Sequence, residues 1–157
     1  MMDSSNIVLR LGRPADAQAI ALLSRELIES GLGWSWTPAR VLGRIHHRDT
    51  ITLVAAAQQQ LIGFAIMYFG LEQAHLDLLA VRPSHQRRGV GRRLLDWLEK
   101  SARTAGIAMI FLEVRTANIG AHCFYQRLGF SDSAFLPGYY SGREAAIRMV
   151  RKLRASR

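Results

Sequence analysis

Leu76-Asp77-Leu78-Leu79-Ala80-Val81-Arg82-Pro83-Ser84-His85-Gln86-Arg87-Arg88-Gly89-Val90-Gly91-Arg92-Arg93-Leu94-Leu95-Asp96-Trp97-Leu98 lies in the middle of the chain and decides how the rest is read. It begins as a short apolar run closed by a proline, the pattern of a buried strand. It ends with apolar residues at 90, 94, 95 and 98, which is helical spacing. The loop between them carries Gly89 and Gly91 at the start of the helix. Glycines let the backbone bend and let a ligand approach it. The first N–H groups of a helix lack internal partners, and its dipole puts partial positive charge there. The stretch is therefore built as a phosphate cradle. A Walker loop would need Lys-Ser/Thr after the second glycine, and Arg92-Arg93 stands there instead. A dinucleotide fingerprint would need a glycine where Leu94 is, and a first glycine closer to the strand.

A chain of 157 residues, 49% hydrophobic and 21% charged, fits one globular domain spanning 1–157. Its one cysteine, Cys123, excludes an internal disulfide framework and suits a reducing cytoplasm. No apolar run is long enough to span a bilayer, and residues 1–6 lack a signal-peptide pattern. The histidines show no zinc-like spacing, so no metal is expected. Net charge is +9. Part of it comes from Arg82, Arg87, Arg88, Arg92, Arg93, Lys100 and Arg103 around the central loop and helix. Another part is the tail from Arg151 to Arg157, read as a solvated end. A basic field suits phosphate ligands and nucleic acid alike. No helix-turn-helix, zinc or RNP signature is present, so neither nucleic acid nor a membrane is expected as partner; a homodimer is left open.

In order, the pattern predicts a strand at Ile7–Leu11, a helix over Ala15–Glu29 and a second helix from the Thr37-Pro38 cap to His46. A hairpin follows, Ile51–Ala57 and Leu61–Phe69 around Gln58-Gln59-Gln60, and then the central strand. The central helix is expected over Gly89–Ala105 and an interior strand, apolar on both faces, over Ile107–Val114. A short helix over Ile119–Leu128 precedes two last strands, Phe130–Leu136 and Ala145–Leu153, turning at Pro137-Gly138. The segment Tyr139-Tyr140-Ser141-Gly142 falls between those strands.

The loop Gln86-Arg87-Arg88-Gly89-Val90-Gly91 resembles the Gln/Arg-x-x-Gly-x-Gly/Ala signature of the GNAT superfamily of acyl-CoA N-acetyltransferases. A second block, Leu112 to Asn118 followed by Phe124-Tyr125-Gln126-Arg127-Leu128-Gly129-Phe130, is similar to that family too. The stretch from Tyr139 to Met149 resembles the RimI-type ribosomal-protein alanine N-acetyltransferases, whereas the Gly33-Trp34-Ser35-Trp36 loop departs from their pattern. The resemblance implies an α/β (α+β) fold, with a mixed, largely antiparallel seven-stranded twisted sheet flanked by about four helices. It also implies direct acetyl transfer from acetyl-CoA, as cosubstrate, to a primary amine on a peptide N-terminus or small molecule. The alternative is a non-catalytic CoA-binding or nucleic-acid-binding module of the same fold.

Residue by residue, the resemblance places the pantetheine edge at Leu79, Ala80 and Val81, and pyrophosphate contacts at Arg87, Arg88, Gly89, Val90, Gly91 and Arg92. Tyr125 matches the tyrosine that protonates the departing thiolate, or is simply a core tyrosine. Asn118 matches a residue that bonds CoA or a water, and it is equally a helix N-cap. Glu113 matches the RimI-type base; burial in an interior strand should raise its pKa, unless it is a structural carboxylate paired with an arginine. His75 and Asp77 share one face of the central strand and are rival bases, directly or through water. Trp34, Trp36, Tyr139 and Tyr140 could wall an acceptor pocket or be packing. The +9 charge disfavours strongly cationic acceptors.

Overall fold

The computed structural model describes residues 6–154. The expectations for residues 1–5 and for the last three residues of the tail lie outside them. Seven strands hydrogen-bond in the order β1-β2-β3-β4-β5-β7-β6. They are β1 (Ile7–Leu11), β2 (Thr50–Ala57), β3 (Gln60–Phe69), β4 (Gln73–Val81), β5 (Met109–Arg115), β6 (Ser131–Tyr140) and β7 (Glu144–Lys152). The helices among the described residues are α1 (Ala17–Leu27), α2 (Pro38–His46), α3 (Val90–Thr104) and α4 (Ile119–Arg127). The sheet is mixed: β4 and β5 run parallel, while β1–β2, β2–β3, β5–β7 and β6–β7 are antiparallel.

The chain divides into two compact units. One holds the described residues through Tyr68 together with Asp77–Ser101. Its core joins Ile20, Ala21 and Leu23 of α1, Val41 of α2, and Val54, Phe64, Ile66 and Leu78 of the strands. Burial of this kind stabilises by about 25 cal/mol per Å² of apolar surface. Two sequence signals set the helices here. Thr37 caps α2, its hydroxyl accepting from the Arg40 amide at 3.3 Å. Pro14 opens a 3-10 turn that leads into α1. The hairpin turn at Gln58-Gln59 puts both residues at positive φ, 52° and 65°.

The other unit holds Phe69–Leu76 and the described residues from Ala102 onward. It buries Ile110, Leu112 and Val114 on one face of β5, with Met149 of β7 opposite Leu112; Ala146 and Phe130 are buried as well. The opposite face of β5 is only half-buried, unlike the two-sided burial expected, because it bears Phe111 and Glu113. β6 also differs from the sequence reading. It runs through Pro137-Gly138 to Tyr140, and the reversal comes at Ser141-Gly142. Gly138 sits at φ +63°, and the β6–β7 register shifts between Leu136 and Tyr140, so the glycine makes a bulge rather than a turn. Arg151, expected in a solvated tail, lies in β7 and donates to the Leu128 carbonyl.

Candidate active site

The loop before α3 has the backbone of an anion cradle. Arg87 and Gly89 both adopt left-handed φ, 63° and 80°. A non-glycine residue in that region is strained, and such strain gathers at functional loops. The Gln86 amide side chain donates to the Val81 carbonyl at 2.9 Å, fastening the loop to the end of β4. The Gln86 and Arg93 amides bond to the Pro83 and Gly89 carbonyls. The amides between them belong to the loop and first turn of α3, where helices leave donors unmatched. Arg87 and Arg88 are exposed. A side chain at Gly89 would meet no neighbour within 4 Å, so the cradle is open as well as donor-rich. These residues fit a pyrophosphate. The neighbouring cations are not equivalent: Arg82 donates to the Leu61 carbonyl at 2.7 Å and Arg93 to the Ile7 carbonyl at 3.3 Å, which makes both of them structural.

The β4–β5 register covers only Gln73–His75 against Met109–Phe111 among the described residues. Leu79, Ala80 and Val81 lie beyond that register, at the end of β4.

A polar network occupies the half-buried face of β5. Glu113 and Arg148 are directly opposite in the β5–β7 register, and Arg148 Nε donates to Glu113 Oε2 at 3.1 Å. His75 Nε2 lies 2.7 Å from Glu113 Oε1, and the Tyr139 hydroxyl donates to the same oxygen at 3.0 Å. The His75 ring also packs on Phe111, with centroids 4.7 Å apart. The Glu113 side chain is 6% exposed. Burial pushes its carboxyl up, but the His75 hydrogen bond and charge, with Arg148 and Tyr139, outweigh that and hold it at about 2. The sequence reading expected a raised pKa here. The correction comes from three donors converging on one carboxylate, so Glu113 is a fixed anion and a weak base on its own. Arg148 is the arginine partner that the packing alternative required. Arg115 pairs with Glu144 nearby in the same unit, a contact no spacing rule announced.

Tyr125 is buried on α4, its ring edge-on to Phe124 and Phe130 at 5.1 and 5.7 Å. Burial, and then the neighbouring Tyr140, push its phenol well up. Burial does the same to Tyr140, with Tyr139 and Glu113 adding to it. Both phenols therefore keep their protons across the working pH range. Asn118 is the N-cap of α4, its Oδ1 accepting from the Ala121 amide at 3.1 Å.

Trp34 and Trp36 are both packed against their own unit. Trp36 is buried in the core, and Trp34 donates its indole N–H to the Ala21 carbonyl at 3.2 Å. Glu29 ties down their loop, accepting from the Ser35 and Trp36 amides at 2.9 and 3.3 Å. Asp77 is half-buried on β4. Among the described residues there is no cluster of His, Cys, Asp and Glu that could hold a metal ion, and no helix long and apolar enough to cross a membrane.

A sheet of this strand order, with a glycine loop feeding α3, defines an acyl-CoA transferase type of fold. Residues 20–130 match the acetyltransferase (GNAT) family, and the chain belongs to that family. The [ribosomal protein bS18]-alanine N-acetyltransferase of Salmonella typhimurium is 38% identical over 103 residues, covering 64% of this chain and 70% of that protein. Its Escherichia coli K12 counterpart is 40% identical over 94 residues, 58% of this chain, so the chain matches 64% of that relative's length. The crystal structure of the Escherichia coli ribosomal-protein-S18-alanine N-acetyltransferase superposes with a TM-score of 0.82 at 26% identity, covering 96% of both chains. The chain is an N-acetyltransferase, and the comparisons lend no support to a non-catalytic module.

Proposed function

We propose that this protein, working as one domain in the cytoplasm, transfers the acetyl group of acetyl-CoA to the α-amine of a peptide N-terminus. The observation that carries the reading is the loop from Gln86 to Arg92, with its left-handed Arg87 and Gly89 opening α3. The peptide acceptor is supported by the similarity to alanine N-acetyltransferases and by the Tyr139–Glu113–Arg148 network, whose Tyr139 and Arg148 lie in the RimI-like stretch. A small-molecule amine bearing a carboxylate is the second acceptor class, favoured by the +9 charge.

In this reading the amides from Arg87 to Arg92, with the Arg87 and Arg88 guanidiniums, hold the pyrophosphate. The Leu79–Val81 edge lines up the pantetheine arm. Acetyl-CoA, when bound, supplies an activated acetyl group and a thiolate leaving group. The His75–Glu113 pair takes the proton from the acceptor ammonium, directly or through water, with Glu113 orienting and charging the pair. Asp77 is the alternative partner in that step. Tyr125 Oη holds its proton until the thiolate departs and then donates it. Asn118 fixes the start of the helix that carries Tyr125.

Thermal unfolding with and without acetyl-CoA tests the cofactor half of this reading. At about 100 times its Kd, a ligand bound only to the folded state adds about 2.7 kcal/mol. For a chain of this size that is a rise in Tm of about 5–10 °C. Gly89→Ala forces a side chain into the left-handed region at a cost of about 1–2 kcal/mol, so acetyl-CoA affinity should fall about tenfold. An absent shift in the wild type, or equal shifts in both proteins, would count against the cradle.

A further inference from the structure

The outward side of α2 takes no part in the chemistry above. From Pro38 to Arg48 the chain carries Arg40, Arg44, His46, His47 and Arg48 and no acidic residue. Arg40, Arg44 and His47 are held by rings, while Arg48 lies 3.9 Å from the Asp49 carboxylate, an exposed pair. Arg40 Cζ stands 3.8 Å from the centre of the Trp36 ring. Arg44 Cζ lies 5.8 Å from the same ring and 6.0 Å from Tyr68. Tyr68 in turn meets His47 edge-on, with centroids 6.0 Å apart. Among the described residues no carboxylate pairs with Arg40 or Arg44. Other arginines of the same unit have internal acceptors: Arg10 holds Asp16 at 2.7 Å, and Arg82 and Arg93 hold backbone carbonyls.

A guanidinium stacked on a ring has its plane fixed through its face, while its N–H edge remains available. Little side-chain freedom is then lost when that edge grips an anion. Arg40 and Arg44 are one helical turn apart on one face, so their forks line up. Tyr68, 38% exposed, adds an accessible aromatic face beside them. A protein partner would need apolar anchors at the centre of its interface, and α2 exposes only Leu42 among large apolar residues. The surface offers forks for phosphate and a ring for a base. From this we infer that the α2 surface of Arg40, Arg44, Arg48 and Tyr68 binds the phosphate backbone of single-stranded nucleic acid. It is an accessory contact, outside any nucleic-acid-binding module, and it stands independently of the acetyl-transfer reading.

Fluorescence anisotropy of a labelled single-stranded RNA, titrated at several salt concentrations with saturating CoA on the Arg87–Arg88 loop, tests this. Three phosphate contacts predict a slope of log K against log salt of about −2, since single strands give about −0.7 per contact. Arg40→Gln with Arg44→Gln should flatten the slope by about 1.4. Arg44→Gln alone, expected to remove about 0.7, serves if the double variant does not fold. Parallel arms use single-stranded DNA, duplex DNA and polyglutamate. Tighter binding of the single strands supports the inference. A wild-type slope in the variants, or polyglutamate or duplex binding as tight as the single strand, overturns it.

Discussion

Tyr125→Phe should turn over on the order of 10²-fold more slowly than the wild type while binding acetyl-CoA equally well. The substitution keeps the ring that packs edge-on against Phe124 and Phe130 and removes only the hydroxyl. The fold should therefore survive with a Tm close to that of the wild type. Burial keeps the phenol protonated. A group that never loses its proton at rest is suited to donating one only when a strong base, a departing thiolate, forms beside it. Rates of acetyl-CoA consumption at saturating acceptor, with binding measured separately, check this. A Phe variant with normal turnover would hand the proton to water or to another residue.

Glu113→Gln should lower turnover by about 10²–10⁴-fold, the range for acid–base groups, and should also change the response to acid. The carboxylate is the shared acceptor for His75, Arg148 and Tyr139. Gln keeps the shape and removes the charge. The folded carboxyl titrates near 2, against an ordinary value of 4.5. A depressed carboxyl adds stability that is fully present above the ordinary value and lost as pH falls toward the folded one. Wild-type stability should therefore decline between pH 4.5 and 2 more steeply than that of the variant, and the gap between the two proteins should close by about pH 2. Urea midpoints measured across that window give the answer; parallel curves would mean that Glu113 is not the held anion described here.

The element order was legible because punctuation residues agreed with periodicity. Thr37-Pro38 marked the start of α2, Gly106 at φ +82° marked the stop after α3, and Gly129 at φ +95° closed α4. Pro137-Gly138 misled because the pair usually signals a turn; here the register shift within β6 absorbs Gly138 as a bulge. The strand–loop–helix passage from β4 to α3 was legible from local sequence, since it is built from consecutive residues punctuated by Pro83, Gly89 and Gly91. The charge state of Glu113 was not. Burial was readable from the neighbours Leu112 and Val114, but the donors arrive from His75, Tyr139 and Arg148 on three other strands. The pairing of strands fixes that outcome: His75 comes from β4, Tyr139 from β6, and the β5–β7 register places Arg148 opposite Glu113. The tryptophans were ambiguous for a related reason. Exposure of Trp34 and Trp36 depends on how α1 and α2 pack, and the core takes Trp36.

The central claim, amine acetylation from acetyl-CoA, is tested most directly by release of free CoA across acceptors sorted by charge. The panel would contain peptides with neutral or acidic N-termini, small amino-carboxylates, polyamines and lysine-rich peptides. The account predicts acceptor-dependent CoA release with the neutral or acidic peptides, weaker release with amino-carboxylates, and little with polyamines or lysine-rich peptides. Efficient turnover confined to polyamines or lysine-rich peptides would contradict the acceptor reading, and no acceptor-dependent release from any class would contradict the claim itself.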